Sequence, residues 1–101
     1  MPAYIIALIH ITDRERYSAY MNLAPTVIAA FGGKFIARGG RTTTLEGAPE
    51  DRRVVLVEFP TFERAEAFYR SEQHAQMARA REGAATATFI LVEGCVPPRS
   101  I

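Results

Sequence analysis

The segment Ala3–Ile11 limits the possible folds most, because it is apolar at nearly every position. Side chains alternate between the two faces of a β-strand, and here both sets of positions are apolar. A second segment, Arg53–Phe59, shows the same property: Val54 and Leu56 alternate with Val55 and Val57. Strands of this kind need cover on both faces of their sheet.

A helix is predicted between the first strand and the glycine pair Gly32-Gly33. Thr12-Asp13-Arg14-Glu15 matches a capping box, and apolar residues recur at helical spacing from Tyr17 to Phe31. Pro25 interrupts this stripe, and proline removes a helical donor. We therefore expect a kink or a short break near residues 21–24.

The rest of the chain predicts two strands, a helical region and a last strand. Lys34–Arg41 runs into Gly39-Gly40 and forms a hairpin with Arg53–Phe59 after a polar turn. Helical spacing from Phe62 is lost at Ser71, so a second short helix is expected over residues 72–81. Strand character returns at Ala85–Glu93. This order predicts an α+β protein with a ferredoxin-like βαββαβ topology and a four-stranded antiparallel sheet.

Two helices can cover only one face of such a sheet. The other face would expose more apolar surface than soluble monomers usually show. We therefore predict a homodimer in which two sheets pack against each other.

Length, charge and cysteine content limit the expected number of domains, the partners and the cellular compartment. The 101 residues predict one domain over residues 1–94 with a tail over 95–101. The net charge of +1 favours neither nucleic acid nor a membrane surface. The single cysteine, Cys95, fits a reducing compartment, and the amino terminus resembles a strand rather than a targeting segment. We expect a cytoplasmic protein.

Several motifs together resemble domain-of-unknown-function family 1330, within the dimeric α+β barrel superfamily. The likeness extends from about Tyr4 to Gly94. The residues that carry it are Tyr4-Ile5-Ile6, Tyr17, Tyr20, Gly32–Gly40, Glu58–Thr61, Ala67–Ser71, Arg81 and Ile90–Gly94. The resemblance implies a ferredoxin-like protomer that dimerises through its sheet. It supplies no activity, because related families include cofactor-free monooxygenases, haem-degrading enzymes, isomerases and plain binding modules.

Arg38 is the first candidate ligand-binding residue. It precedes two glycines at the end of a strand, where its guanidinium could bind a carboxylate or phosphate. The alternative is a structural pair with a carboxylate such as Glu58, or plain solvation.

His10 and His74 are the candidate catalytic residues, since imidazole titrates near neutral pH. His10 could instead cap the edge of a strand, and His74 could project into a pocket or into water. Their spacing matches no metal-binding motif, so no metal site is predicted.

We predict a ligand pocket between the helices and one face of the sheet. Four aromatic residues complete its lining, each with a core role as the alternative. No glycine-rich nucleotide motif is present, so no cofactor is predicted. The aromatic candidates are Tyr17, Tyr20, Phe59 and Tyr69.

Two functional hypotheses follow. The first is a small-ligand protein, such as a cofactor-free monooxygenase or isomerase acting on a small organic acid or aromatic compound. The second is a non-catalytic binding or interaction module in which the same residues are structural.

Overall fold

The computed structural model describes residues 1–96, and the remainder of the predicted tail lies outside the described residues. Four strands and three helices follow one another in the predicted order, with the second helical region divided in two. The elements are β1 (Ala3–Ile11), α1 (Arg14–Ala30), β2 (Lys34–Arg38), β3 (Arg53–Phe59), α2 (Phe62–Tyr69), α3 (Glu72–Arg79) and β4 (Ala85–Glu93).

The strands form one antiparallel sheet in the order β2-β3-β1-β4. The two strands with apolar residues on both faces, β1 and β3, lie in the centre, where both their edges are paired. The chain thus has the predicted α+β, ferredoxin-like fold. The division into a domain over residues 1–94 and a tail stays a prediction.

The helices cover one face of the sheet, here called the helix face. The odd-numbered residues of β1 point to it, and Ile5, Ala7 and Ile9 are buried there. The even-numbered residues of β1 point to the opposite, open face, where no element within residues 1–96 packs over them.

Helix α1 begins one residue later than the capping box predicts. Asp13, not Thr12, is the N-cap, and its Oδ1 accepts a hydrogen bond from the Arg16 amide at 3.1 Å. The backbone amides of Thr12 and Asp13 both donate to the Ala84 carbonyl, which ties the chain ahead of the helix to the start of β4. The expected break near residues 21–24 is absent, and α1 continues through Pro25.

Ser71 separates α2 from α3, as the lost spacing predicts. Its hydroxyl donates to the Phe68 carbonyl at 2.7 Å and accepts from the His74 amide at 3.0 Å. One side chain therefore ends α2 and caps α3, and it fixes His74 in the first turn of α3.

Strand β2 is shorter than predicted, because it ends at Arg38 and a loop over residues 39–52 follows. Arg52 crosses to β4 on the open face and donates to the Thr88 hydroxyl at 3.3 Å. Within residues 1–96, no helix has the length and apolar character needed to cross a membrane.

Candidate functional site

A cavity lies between the helix face of the sheet and the helices α1, α2 and α3. The space open to the centre of a water molecule is ≈ 40 Å³. One water needs roughly 10–15 Å³ by this measure, so the cavity holds about three waters. It is a narrow site that a small chemical group can enter.

The walls of the cavity are apolar and largely aromatic. Tyr17 and Tyr20 stack at 5.2 Å between ring centroids, and both side chains are buried. Burial raises the pKa of both tyrosines above the usual value of 10.0, so both are neutral phenols at physiological pH. The other apolar side chains of the wall are Ile5, Ala7, Ile9, Met21, Ala24, Ile28, Phe35, Val55, Val57, Phe68 and Phe89.

A β-bulge brings Arg38 to the helix face. Phe35 pairs with Val57 and Ala37 pairs with Leu56, so Ile36 is the additional residue on β2. Without it, strict alternation would place Arg38 on the face opposite to Phe35. Instead the Arg38 guanidinium carbon lies 4.3 Å from the Phe35 ring centroid and the side chain lines the cavity.

Arg53, at the start of β3, also lines the cavity. Its guanidinium passes so close to Gly39 that a Cβ on residue 39 would overlap it. Gly39 also has a φ of +68°, which favours glycine. Gly39 therefore makes room for Arg53, and the buried Nε of Arg53 has no hydrogen-bond partner within residues 1–96.

A third arginine, Arg81, lies behind the tyrosines. Its Nη1 donates to the Tyr20 hydroxyl at 3.2 Å, and its guanidinium carbon lies 4.6 Å from the Phe89 ring centroid. This contact satisfies the phenol of Tyr20 inside an apolar wall.

His74 is 5% exposed and lies among aromatic rings. Its ring centroid is 4.2 Å from that of Tyr69 and 5.0 Å from that of Phe68. Burial, aided by the positive charge of Arg81, lowers the pKa of His74 from 6.5 to about 4. The imidazole is therefore neutral at physiological pH and can accept a proton or a hydrogen bond.

The charge of the site is unbalanced. Arg38 and Arg53 line the cavity, and no carboxylate from residues 1–96 does. Among residues 1–96, the ion pairs involve other arginines and Lys34, so neither Arg38 nor Arg53 has a carboxylate within 4.0 Å. In the same part of the chain, no three side chains of His, Cys, Asp or Glu lie together in a group that could hold a metal ion.

The cavity brings together four of the residues singled out from the sequence: Tyr17, Tyr20, Arg38 and His74. The alternative pairing of Arg38 with Glu58 does not occur, because Glu58 points to the open face. Its carboxylate lies 3.3 Å from the Lys34 Nζ.

The other three predicted site residues lie outside the cavity. Phe59 is 0% exposed and packs behind Phe68, with 5.2 Å between the ring centroids. Tyr69 stacks on the outer side of His74 and lines a separate groove beside β4. His10 is exposed and belongs to the even-numbered set of β1, so the sheet separates it from the cavity.

Sequence reasoning missed Arg53 and Phe89 as lining residues and Arg81 as the partner of Tyr20. Arg53 shares the parity of Val55, Val57 and Phe59, which was a usable signal. This signal places Arg53 at the cavity only when it is known that the odd-numbered residues of β3 face the helices.

The fold and the cavity define a ferredoxin-like α+β protein with a small aromatic, cationic pocket under its helices. The model of the family called domain of unknown function, DUF1330, matches residues 2–95, and the chain belongs to this family. None of the curated proteins matches the chain significantly.

Solved structures show the same fold. RPA0582, a protein of unknown function from Rhodopseudomonas palustris, matches with a TM-score of 0.73 and 22% identity, covering 95% of this chain and 84% of that chain. SnoaB, a cofactor-independent oxygenase from Streptomyces nogalater, matches with a TM-score of 0.66 and 13% identity, covering 98% of each chain.

A dimeric protein of unknown function from Bacteroides fragilis, with a ferredoxin-like fold, is also similar. Its TM-score is 0.54 at 14% identity, and the match covers 92% of this chain and 96% of that chain. At these identities the likeness establishes the fold and leaves the activity to be argued from the site.

Proposed function

We propose that this protein binds a small planar organic anion, such as an aromatic or enolised acid, in the cavity between its sheet and helices. One observation carries the proposal: Arg38 and Arg53 line an aromatic cavity to which the described part of the chain contributes no carboxylate. Guanidinium groups bind carboxylates and enolates well, and the orphaned Nε of Arg53 is a donor that a ligand oxygen would satisfy.

The size of the cavity determines how much of a ligand can enter without a change in the surrounding side chains. The acid group and its neighbouring atoms fit the present volume, whereas a complete ring needs additional room. Met21 lines the cavity and has three rotatable bonds, so a change of its rotamer opens the space with least strain.

We further propose that His74 accepts a proton from the carbon next to a carbonyl group of the bound acid, which leaves an enolate and an imidazolium. The neutral imidazole lines the same cavity as the two arginines, which would stabilise the resulting enolate. A bound anion also raises the pKa of His74 and makes it a stronger base than in the empty site. One structural neighbour is described as a cofactor-independent oxygenase, which supports a reaction that needs no bound cofactor.

Binding is tested with probes of matched shape and opposite charge. Benzoate should shift the NMR signals of Tyr17, Tyr20 and His74 in a saturable way, whereas benzylamine should not. Arg38→Ala should weaken benzoate binding about tenfold or more, and Arg41→Ala, which changes an exposed loop arginine, should leave it unchanged. Equal responses to both probes would contradict an anion site.

Proton transfer is tested with phenylpyruvate in D₂O, by following exchange of its C3 hydrogens. Wild-type protein should accelerate the exchange, and His74→Gln should remove most of that acceleration while retaining benzoate binding. Benzoate binding without any acceleration by the wild type would identify the non-catalytic binding module instead.

We propose that the active form is a cytoplasmic homodimer joined through the open faces of two sheets. This face carries apolar side chains from all four strands, including Ile90, which is 48% exposed, and Val92 beside Tyr4. The dimeric neighbour from Bacteroides fragilis supports the proposal. Native mass spectrometry at micromolar concentration should give twice the chain mass, and a monomer would contradict it.

A further inference from the structure

Pro25 lies in the middle of α1, where proline is unfavourable. In an α-helix the amide of residue 25 would donate to the carbonyl of Met21, four residues earlier. Proline has no amide hydrogen, and its ring crowds that carbonyl. The Met21 carbonyl therefore lacks its helical donor.

Arg38 supplies the missing donor. Its Nη2 donates to the Met21 carbonyl oxygen at 2.8 Å, from a strand 17 residues away in the sequence. Met21 lines the cavity, so this bond anchors the guanidinium at the cavity wall. The contact of Arg38 with the Phe35 ring holds the same guanidinium from another side.

We propose that Pro25 is a positioning residue for the anion site. By removing the helical donor of the Met21 carbonyl, Pro25 keeps that oxygen free for Arg38 and fixes the guanidinium at the cavity. The role in ligand binding rests on the proposed function, whereas the placement of Arg38 does not. Pro25 lies outside the cavity wall, so it acts only through Met21 and Arg38.

The placement of Arg38 is tested without any ligand, by NMR of the arginine guanidinium groups, with Arg38→Lys used for assignment. In the wild type the Arg38 Nη signals should be separate, because the bond to Met21 slows rotation. In Pro25→Ala the new amide competes for the Met21 carbonyl, and the Arg38 signals should merge. Unchanged Arg38 signals in Pro25→Ala would overturn the proposal.

Replacing Pro25 by lactic acid separates the missing donor from the proline ring. The resulting ester has no amide hydrogen and no ring. Its Arg38 signals should resemble those of the wild type, and merged signals would contradict a role of the missing donor. Pro49→Ala, which changes an exposed loop proline, is the matched control and should leave Arg38 unchanged.

Benzoate affinity tests the functional part. Pro25→Ala should weaken binding about fivefold, less than Arg38→Ala, with a melting temperature no lower than that of the wild type. Pro49→Ala should bind like the wild type. If Arg38→Ala weakens binding and Pro25→Ala does not, the positioning role is wrong while the anion site stands. If the wild type does not bind benzoate, the proposed function fails, and the guanidinium signals still decide whether Pro25 places Arg38.

Discussion

The two faces of the sheet are built from the same strands, but only one of them is covered by the helices. On β1, Ile5, Ala7 and Ile9 are buried under helices, while Ile6 and Leu8 remain partly exposed on the open face. The helix face obtains its cover from its own chain. The open face has similar side chains and no cover from residues 1–96, which is the reason for the proposed contact with a second copy.

The charges of the two faces differ in the same way. On the open face, Lys34 lies beside Glu58, and Arg52 binds both Glu50 and Thr88. On the helix face, Arg38 and Arg53 have no carboxylate partner within the described part of the chain. Paired charges are favourable on a surface that packs against another protein. Arginines without a carboxylate partner are favourable at a site that binds an anion.

The largest effect on stability is expected from the core of the helix face. Phe59→Ala should lower the free energy of unfolding by about 3–5 kcal/mol, because Phe59 is fully buried against Phe68. Chemical denaturation measures the change, with exposed Leu23→Ala as the control. If the Phe59→Ala protein is stable and binds benzoate more weakly, Phe59 is a ligand-binding residue and not only a core residue.

The next effect concerns the open face. Ile6 lies between Leu56 and Ile90 at the centre of that face, so Ile6→Asp would place an unpaired carboxylate in the proposed dimer contact. Dimer affinity should fall at least about 100-fold, and analytical ultracentrifugation should show a monomer at micromolar concentration. Leu23→Asp, on an exposed position of α1, should stay dimeric. A dimeric Ile6→Asp protein would mean that the interface lies elsewhere.

The third effect concerns the helix face, where the stability contributed by His74 should depend on pH. The folded pKa of His74 is about 4 against an ordinary 6.5, so the unfolded chain binds more protons between these values. The contribution of His74 to stability is complete above about pH 6.5 and decreases by roughly 2–3 kcal/mol as pH falls towards 4. The difference in unfolding free energy between wild type and His74→Gln should show this slope.

The smallest effect is expected at the margin of the open face. The side chain of Lys34 is 69% exposed, and exposed ion pairs contribute little. Lys34→Ala should change the free energy of unfolding by less than about 1 kcal/mol and leave benzoate binding unchanged. A large loss of benzoate binding would show that charge on the open face influences the affinity of the cavity for an anion.

Much of the fold could be predicted because its signals are local. The apolar strands, the division of the helices at Ser71 and the hairpin after Gly39-Gly40 all lie in short segments. The errors arose where local signals compete. Asp13 and Thr12 both suit an N-cap. Pro25 predicts a kink or a short break, and α1 is unbroken at that point.

The candidate site was harder to predict, because the residues that line it come from all seven elements. The tyrosines of α1 were visible from helical spacing. Arg53 depended on which parity of β3 faces the helices, and Arg81 depended on the packing of Tyr20 and Phe89. Tyr69 and Phe59 have the right residue type, but packing places them behind the cavity wall.

The sequence by itself determined the order of the elements, the ferredoxin-like topology and the presence of two apolar sheet faces, since side-chain alternation and helical spacing follow from backbone geometry. Only the tertiary structure decided which face the helices cover, because both parities of β1 are largely apolar. It also decided the position of Arg38. The bulge at Ile36 appears only when β2 pairs with β3, and the free carbonyl of Met21 gains its donor only when that strand lies beside α1.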